Sequence, residues 1–360
     1  MPVASRIIRS AIYIESLITG TPVVASKPAT IRCHENPPIS GHFKLPTPPG
    51  RPISTSKKPP KYLAELPPFD EPPYNPALIW PTLTFSFEQA KNHLIKADTR
   101  FKQLFASLPC EPFERLEPVD PFRALITAVI GQHISQIAAK ASYHRFLQLF
   151  NRSLPEKVTP THEQEYTFPS PGRVASLDKD ILKTTGMSER KAEFVLNIAK
   201  RFESGELSAE KLANASDKEV EEMLIATRGI GKGTADMFAI TALRQPDVLP
   251  VNSQKTHIGL LRWVLSSHEP ESYPLYINPE KLPKPNKDTK QPSGILLVPT
   301  SPVQLPEGVT LDTLKARANE EKSRTGQFWS RNEMEALTAG WKPYRSLGAF
   351  YLGTLVGKAK

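Results

Sequence analysis

The chain has 360 residues, with 46 Lys plus Arg against 37 Asp plus Glu and a net charge of +9, a modest surplus that suits a polyanionic partner better than a cationic one. Its two cysteines, Cys33 and Cys110, form no CxxC pair and stand beside no histidine cluster, which excludes a disulfide framework and a zinc site. No run of 18 apolar residues occurs, so no membrane span is expected. In chain order, residues 1–80 hold 16 of the 37 prolines, with paired prolines from Pro48-Pro49 to Pro72-Pro73, and 9 basic against 5 acidic residues. Such a segment predicts a disordered basic tail. Residues 2–14 carry Arg6 and Arg9 and no acid, a weak mitochondrial presequence pattern.

Helical spacing follows. Leu125, Ala128, Val129 and Gln132 share one face, and Val195, Ile198, Ala199 and Phe202 share another, with Ser188 placed to cap the second helix. Glu221 to Thr227 and Thr234 to Leu243 are also helical in spacing, and Gly229-Ile230-Gly231-Lys232-Gly233 lies between them. Glycines allow a tight turn with positive φ and close backbone approach, and the next helix offers free N–H groups to a phosphate. The glycine pattern alone more often marks a helix pair that merely packs, since turn glycines usually serve geometry. Residues 267–309 add nine prolines. The expected organisation is a tail over 1–80, a helical domain over 81–266 plus 326–360, and a largely unstructured Pro-rich insertion over 267–325.

Five ordered segments carry a resemblance: DPFRAL at Asp120 to Leu125 with IGQHIS at Ile130 to Ser135, GMSERKAE from Gly186, the glycine hairpin with TADMF from Thr234, PDVLPV from Pro246, and WKPYRSL from Trp341. Together they resemble the helix-hairpin-helix (HhH-GPD) superfamily of base-excision DNA glycosylases, and most closely its alkylation-repair branch, over roughly residues 81–266 and 326–357. The resemblance implies an all-α HhH-GPD fold and hydrolytic release of an alkylated purine from double-stranded DNA, with no cofactor and no metal. The iron-sulfur cluster of some members needs four cysteines and is excluded. Gly229, Gly231, Lys232, Gly233 and Thr234 become the expected DNA-binding residues, with Lys232 as a phosphate contact. Gly233 departs from the family, which has Trp here in the alkylation branch and Lys in lyase-competent members.

The main departure is Ser253. Family members carry a catalytic Asp in a GDLG loop after PDVxPV, and in this chain Asn252 to Ile258 replaces that loop, with Ser253 at the Asp position. Cleaving a base from deoxyribose passes through a cationic sugar, which a fixed carboxylate stabilises and a neutral hydroxyl does not. An N-alkylated purine, already a cationic leaving group, is the substrate that best tolerates the loss. Asp247 is expected to be a loop or capping residue, Asp236 to complement a helix dipole, and His257 to be structural or DNA-facing. Gln132 either satisfies backbone groups or faces a cavity for a flipped base, and His133, where the family usually has Gln, is the candidate plug for the vacated stack. Trp341 and Tyr344 are candidates for a base pocket, core packing being the alternative, whereas Trp263 is expected in the core. The chain is expected to act as a monomer, in the nucleus by its substrate, with mitochondria the alternative.

Overall fold

The computed structural model describes residues 74–151, 153–155, 168–282, 294–320 and 328–357. The helices are α1 (Phe87–Ala97), α2 (Arg100–Ser107), α3 (Glu111–Glu114), α4 (Pro121–Gly131), α5 (Gln136–Gln148), α6 (Pro171–Ala175), α7 (Lys179–Lys183), α8 (Glu189–Glu203), α9 (Ala209–Asn214), α10 (Asp217–Ile225), α11 (Lys232–Thr241), α12 (Gln254–His268), α13 (Leu311–Glu320), α14 (Arg331–Leu337) and α15 (Arg345–Leu352). Three short strands, β1 (Leu275–Ile277), β2 (Ile295–Leu297) and β3 (Leu355–Val356), form one sheet in the order β2-β1-β3.

Local sequence explains the helix starts. Asp120, with Pro121 at the first helical position, accepts from Arg123 N, and Ser188 accepts from Lys191 N as its spacing predicts. Every residue of α4 is buried, including Arg123 and Thr127 within its otherwise apolar sequence. α8 packs on α4, α6 and α7, while α12 contacts α13, α15, β1 and β3. Trp263 on α12 is 2% exposed, and the Arg100 guanidinium lies 3.8 Å above its ring while donating to Trp263 O and Ser266 Oγ at 2.8 Å. Asp98 balances that buried cation at 2.6 Å, without which its burial would be strongly unfavourable.

Two expected boundaries need correction. Ile79, assigned to the tail, is buried and forms an antiparallel bridge with Val119, exchanging backbone bonds of 2.8 and 2.9 Å. The supposedly unstructured 267–325 segment contributes β1, β2 and α13, with Tyr276 paired to both Leu296 and Val356 and with Leu275, Ile277, Leu297 and Leu314 buried. Three-residue strands are too short to print an alternation. The remainder of the tail, residues 1–73, and residues 283–293 and 321–325 of the insertion lie outside the described residues.

Candidate nucleic-acid interface

α10 opens with a capping box between Ser216 and Glu219 and ends three residues before Arg228 and the turn into α11. Gly229 has φ 94, and a Cβ there would lie 2.3 Å from Phe194 Cγ, so both backbone conformation and space require glycine. Gly231, at φ −88, and Gly233 carry no such requirement, since Gly231 is open on all sides and a Cβ at Gly233 would meet Asn252 Cβ at an ordinary 3.7 Å. The expected three-glycine demand therefore rests on one position. Gly231 caps α11 without a side chain, leaving first-turn N–H groups without the side-chain acceptor that a helix start usually recruits.

Lys232, the expected phosphate contact, is held by two carboxylates. Its ammonium lies 2.8 Å from Asp236 Oδ1 and 2.9 Å from Glu221 Oε2, across the hairpin. Burial opposes its charge, but the two carboxylates outweigh burial and hold the amine above its usual range. For buried Asp236 the balance is reversed: burial outweighs the Lys232 bond, and the carboxyl is held above its usual range. Asp236 is thus half of an ion pair, rather than a simple complement to the helix dipole. Both residues line a cavity of about 330 Å³ beside the hairpin, together with Asp247, Val251, Arg331 and Arg345.

Gln132 resolves toward the first of its two alternatives. Its amide donates to Gly229 O at 3.0 Å and to Thr234 Oγ1 at 3.2 Å, so it clamps the turn and the start of α11 rather than lining a void. Next to it His133 is exposed, in the left-handed region at φ 58, a conformation that costs a non-glycine residue about 1–2 kcal/mol. Ile134 and Ile137, 39% and 84% exposed, flank it. Lys191 steadies this corner from α8 by donating to Ile130 O at 2.8 Å. Nothing in the sequence announced that bond, because it spans 61 residues.

Ser253 caps α12. Its Oγ accepts from Thr256 N at 3.4 Å, its N–H donates to Pro250 O at 3.0 Å, and its carbonyl receives His257 N. Asn252, its neighbour, packs on Gly233, which places the Ser253 turn against the hairpin. Residues 250–258 contain no acid. Asp247 is held bidentate by Arg345, at 2.6 and 2.9 Å, and so has the loop-fixing role expected of it. His257, buried, donates from Nε2 to Val251 O at 2.7 Å, while its Nδ1 receives Phe328 N and Trp329 N at 3.2 Å each. This fixes a neutral tautomer that bolts the Ser253 turn to the 328–329 segment, and burial holds the imidazole below its ordinary range.

The expected base pocket is not assembled. Trp341 is 4% exposed and stands edge-on to Phe101 and Trp263, at 5.2 and 5.9 Å between ring centroids. It is core. Tyr344 packs against Phe85 and His93, both at 5.4 Å. The sequence spacing of aromatics is the same for a core and for a stacking pocket; Trp341 is core, while half-buried Tyr344 packs at the margin of that core. The sequence reasoning also missed Lys255 in the first turn of α12. Burial, and then the charge of Lys281, push its amine down to about 8. Burial likewise brings Lys281 to about 8, against the pull of Glu280.

Residues 126–273 match the HhH-GPD superfamily of base excision DNA repair proteins. That match takes in 148 of the 360 residues, so this segment is similar to that superfamily. Within it, the chain is 32% identical over 171 residues to a DNA-3-methyladenine glycosylase of Bacillus subtilis (strain 168), covering 47% of this chain and 52% of that relative. To DNA-3-methyladenine glycosylase 1 of Schizosaccharomyces pombe it is 29% identical over 176 residues, 48% of this chain and 72% of the relative. The match thus spans about half the length of the Bacillus protein and more of the yeast one. A solved DNA-3-methyladenine glycosidase from Bacillus halodurans aligns with 76% of this chain and 90% of its own, at 21% identity and a TM-score of 0.42. By these relatives the chain is similar to the alkylation-repair branch of the superfamily.

Proposed function

We propose that this HhH-GPD protein is a base-excision glycosylase of the alkylated-purine type, acting on double-stranded DNA and hydrolysing the bond between a flipped damaged base and its deoxyribose. The arrangement that carries this reading is the Gln132 clamp: one amide ties the turn beside exposed His133 to Gly229 and Thr234 of the hairpin, and Asn252 sets the Ser253 turn against the same helix start. In this reading the first-turn N–H groups of α11 hold a backbone phosphate. His133, with Ile134 and Ile137 beside it, enters the minor groove and fills the gap left by the flipped nucleotide. The strained conformation of His133 is consistent with a side chain held out for contact rather than for packing.

Chemistry at Ser253 is expected to be slow. A hydroxyl engaged in capping places no charge beside a developing oxocarbenium, and losing one preorganised electrostatic group typically costs on the order of a hundredfold to a thousandfold in rate. A cationic leaving group such as 3-methyladenine offsets part of that loss. The second reading, a protein that binds alkylated DNA without cleaving it, is favoured by one observation: Asp247 and Asp236, the nearby carboxylates, are already committed to Arg345 and Lys232. Single-turnover release of methylated purines from duplex DNA, measured beside DNA binding by fluorescence anisotropy, separates the two. Binding with release above the spontaneous rate supports the glycosylase; binding with none supports the second reading; absence of binding refutes both.

A further inference from the structure

One face of α8 reaches both of the turns that the proposed function sets on DNA. Lys191, Phe194, Asn197 and Arg201 recur at intervals of three, three and four residues on this helix, which puts them in one row. All four are half-buried, so the row runs along the margin of the core. At its start the Lys191 ammonium donates to Ile130 O at 2.8 Å, in the last turn of α4. One turn on, the Phe194 ring occupies the space that a Cβ on Gly229 would need. Asn197 Oδ1 then accepts from Arg228 N at 3.1 Å, and Arg201 donates to Thr227 Oγ1 just past the end of α10. Lys191 belongs to the GMSERKAE segment, which the proposed chemistry leaves unused.

The His133 turn needs such support. α4 stops at Gln132, whose φ of −55 and ψ of 133 leave the helix, so the carbonyls of its last turn lack the N–H groups that a further turn would bring. They also form the negative end of the helix dipole, where an ammonium is favoured. His133 then takes φ 58, a conformation that persists only where the surroundings over-determine it. Gln132 ties this turn to the hairpin at Gly229 O. Lys191 adds a second tie, to a rigid helix that also carries the hairpin's supports, with Lys191 and Phe194 about 4.5 Å apart along the axis.

We propose that α8 sets the spacing between the His133 turn and the hairpin, with Lys191 as the residue that positions His133 for the gap left by a flipped nucleotide; this rests on the reading that His133 enters the duplex. Lys191 acts through Ile130 and Asn197 through Arg228, so the two ends of the row do separate things. Lys191 governs the preference for a duplex that already has a gap in its stack. Asn197 governs how firmly any duplex is held. A lysine that merely stabilised the end of α4 would leave that preference unchanged.

Fluorescence anisotropy of the full chain with two labelled duplexes tests this, one duplex fully paired and one with a single tetrahydrofuran abasic analogue, which offers the gap and no base to release. The wild type is expected to prefer the second. Lys191→Met, which keeps the methylene stem, is expected to reduce that preference about fivefold or more, because a charge-assisted bond is lost. Its affinity for the paired duplex should stay within about twofold of wild type, since no phosphate contact is lost. Lys191→Arg, which keeps a charged donor, should stay within about twofold of the wild-type preference. Added to His133→Ala, Lys191→Met should lower the preference no further, because both act at one step. Asn197→Ala should weaken both duplexes alike. An unchanged preference in Lys191→Met, an equal loss on both duplexes, or a further loss beyond that of His133→Ala overturns the inference alone. If circular dichroism shows that Lys191→Met does not fold, Lys191→Arg decides, and a preference about fivefold or more below wild type counts against the inference. A wild type that binds neither duplex, or both equally, overturns the function from which it starts.

Discussion

Replacing His257 with leucine removes three backbone connections at once while keeping an apolar group of similar bulk. Val251 O loses its donor, and Phe328 N and Trp329 N lose their shared acceptor. An unsatisfied buried backbone group costs about 1–3 kcal/mol. Because the two N–H groups share one lone pair, they count as little more than one bond, and the expected loss is about 2–5 kcal/mol. The pH dependence is the sharper signature. The folded imidazole is held below its ordinary value near 6.5, so protonation favours the unfolded chain. The stabilisation from His257 is therefore complete above about pH 6.5 and is lost as pH falls below it. Urea unfolding of the wild type and of His257→Leu at pH 8 and pH 5.5 measures both effects. The gap between the two proteins should be widest at pH 8 and narrow at pH 5.5. A gap that does not change with pH, or a variant as stable as wild type at pH 8, would refute a neutral His257 bolt.

Other predictions follow from single residues. Asp120 is pushed up to about 6 by burial, with bonds from Arg123 pulling the other way, so the folded state prefers it protonated and its charge costs stability as pH rises through 6. Asp120→Asn, which preserves the cap, is expected to stabilise by about 1–3 kcal/mol at pH 8 and to lose that advantage below pH 5 in the same unfolding assay. Gly229→Ala must adopt φ 94 and displace Phe194, at a cost of about 2–4 kcal/mol; a thermal midpoint unchanged from wild type would contradict this. Gln132→Ala frees Gly229 O and Thr234 Oγ1 and should cost about 1–2 kcal/mol and weaken DNA binding severalfold by anisotropy, with equal affinity as the contrary result.

What the sequence made legible is what local chemistry determines. Ser188 reads as a cap because a hydroxyl three residues before a free amide has one favourable use, and it caps α8. The hairpin reads from its glycines, although only Gly229 needs the freedom glycine gives. Lys232 is less legible: its partner four residues on is visible in the sequence, but Glu221 reaches it across the turn, and two carboxylates rather than one decide its environment. Trp341 and Tyr344 recur at a spacing common to pockets and cores, and only the neighbours Phe101, Trp263, Phe85 and His93 distinguish the two. Lys255 carried no local signal, since its character comes from Lys281 and from burial.

In the proposed function, Ser253 is the position where DNA holding and base release separate. An Asp at that position can cap α12 as well as serine does, because both are favoured N-cap residues and an acid in the first turn complements the dipole, so Ser253→Asp should fold and bind DNA like the wild type. Release of methylated purine from duplex DNA under single-turnover conditions is the direct measurement. A rate for Ser253→Asp that exceeds the wild type by on the order of a hundredfold is the predicted result. Equal rates for the two proteins would contradict the assignment of Ser253 as the missing charge.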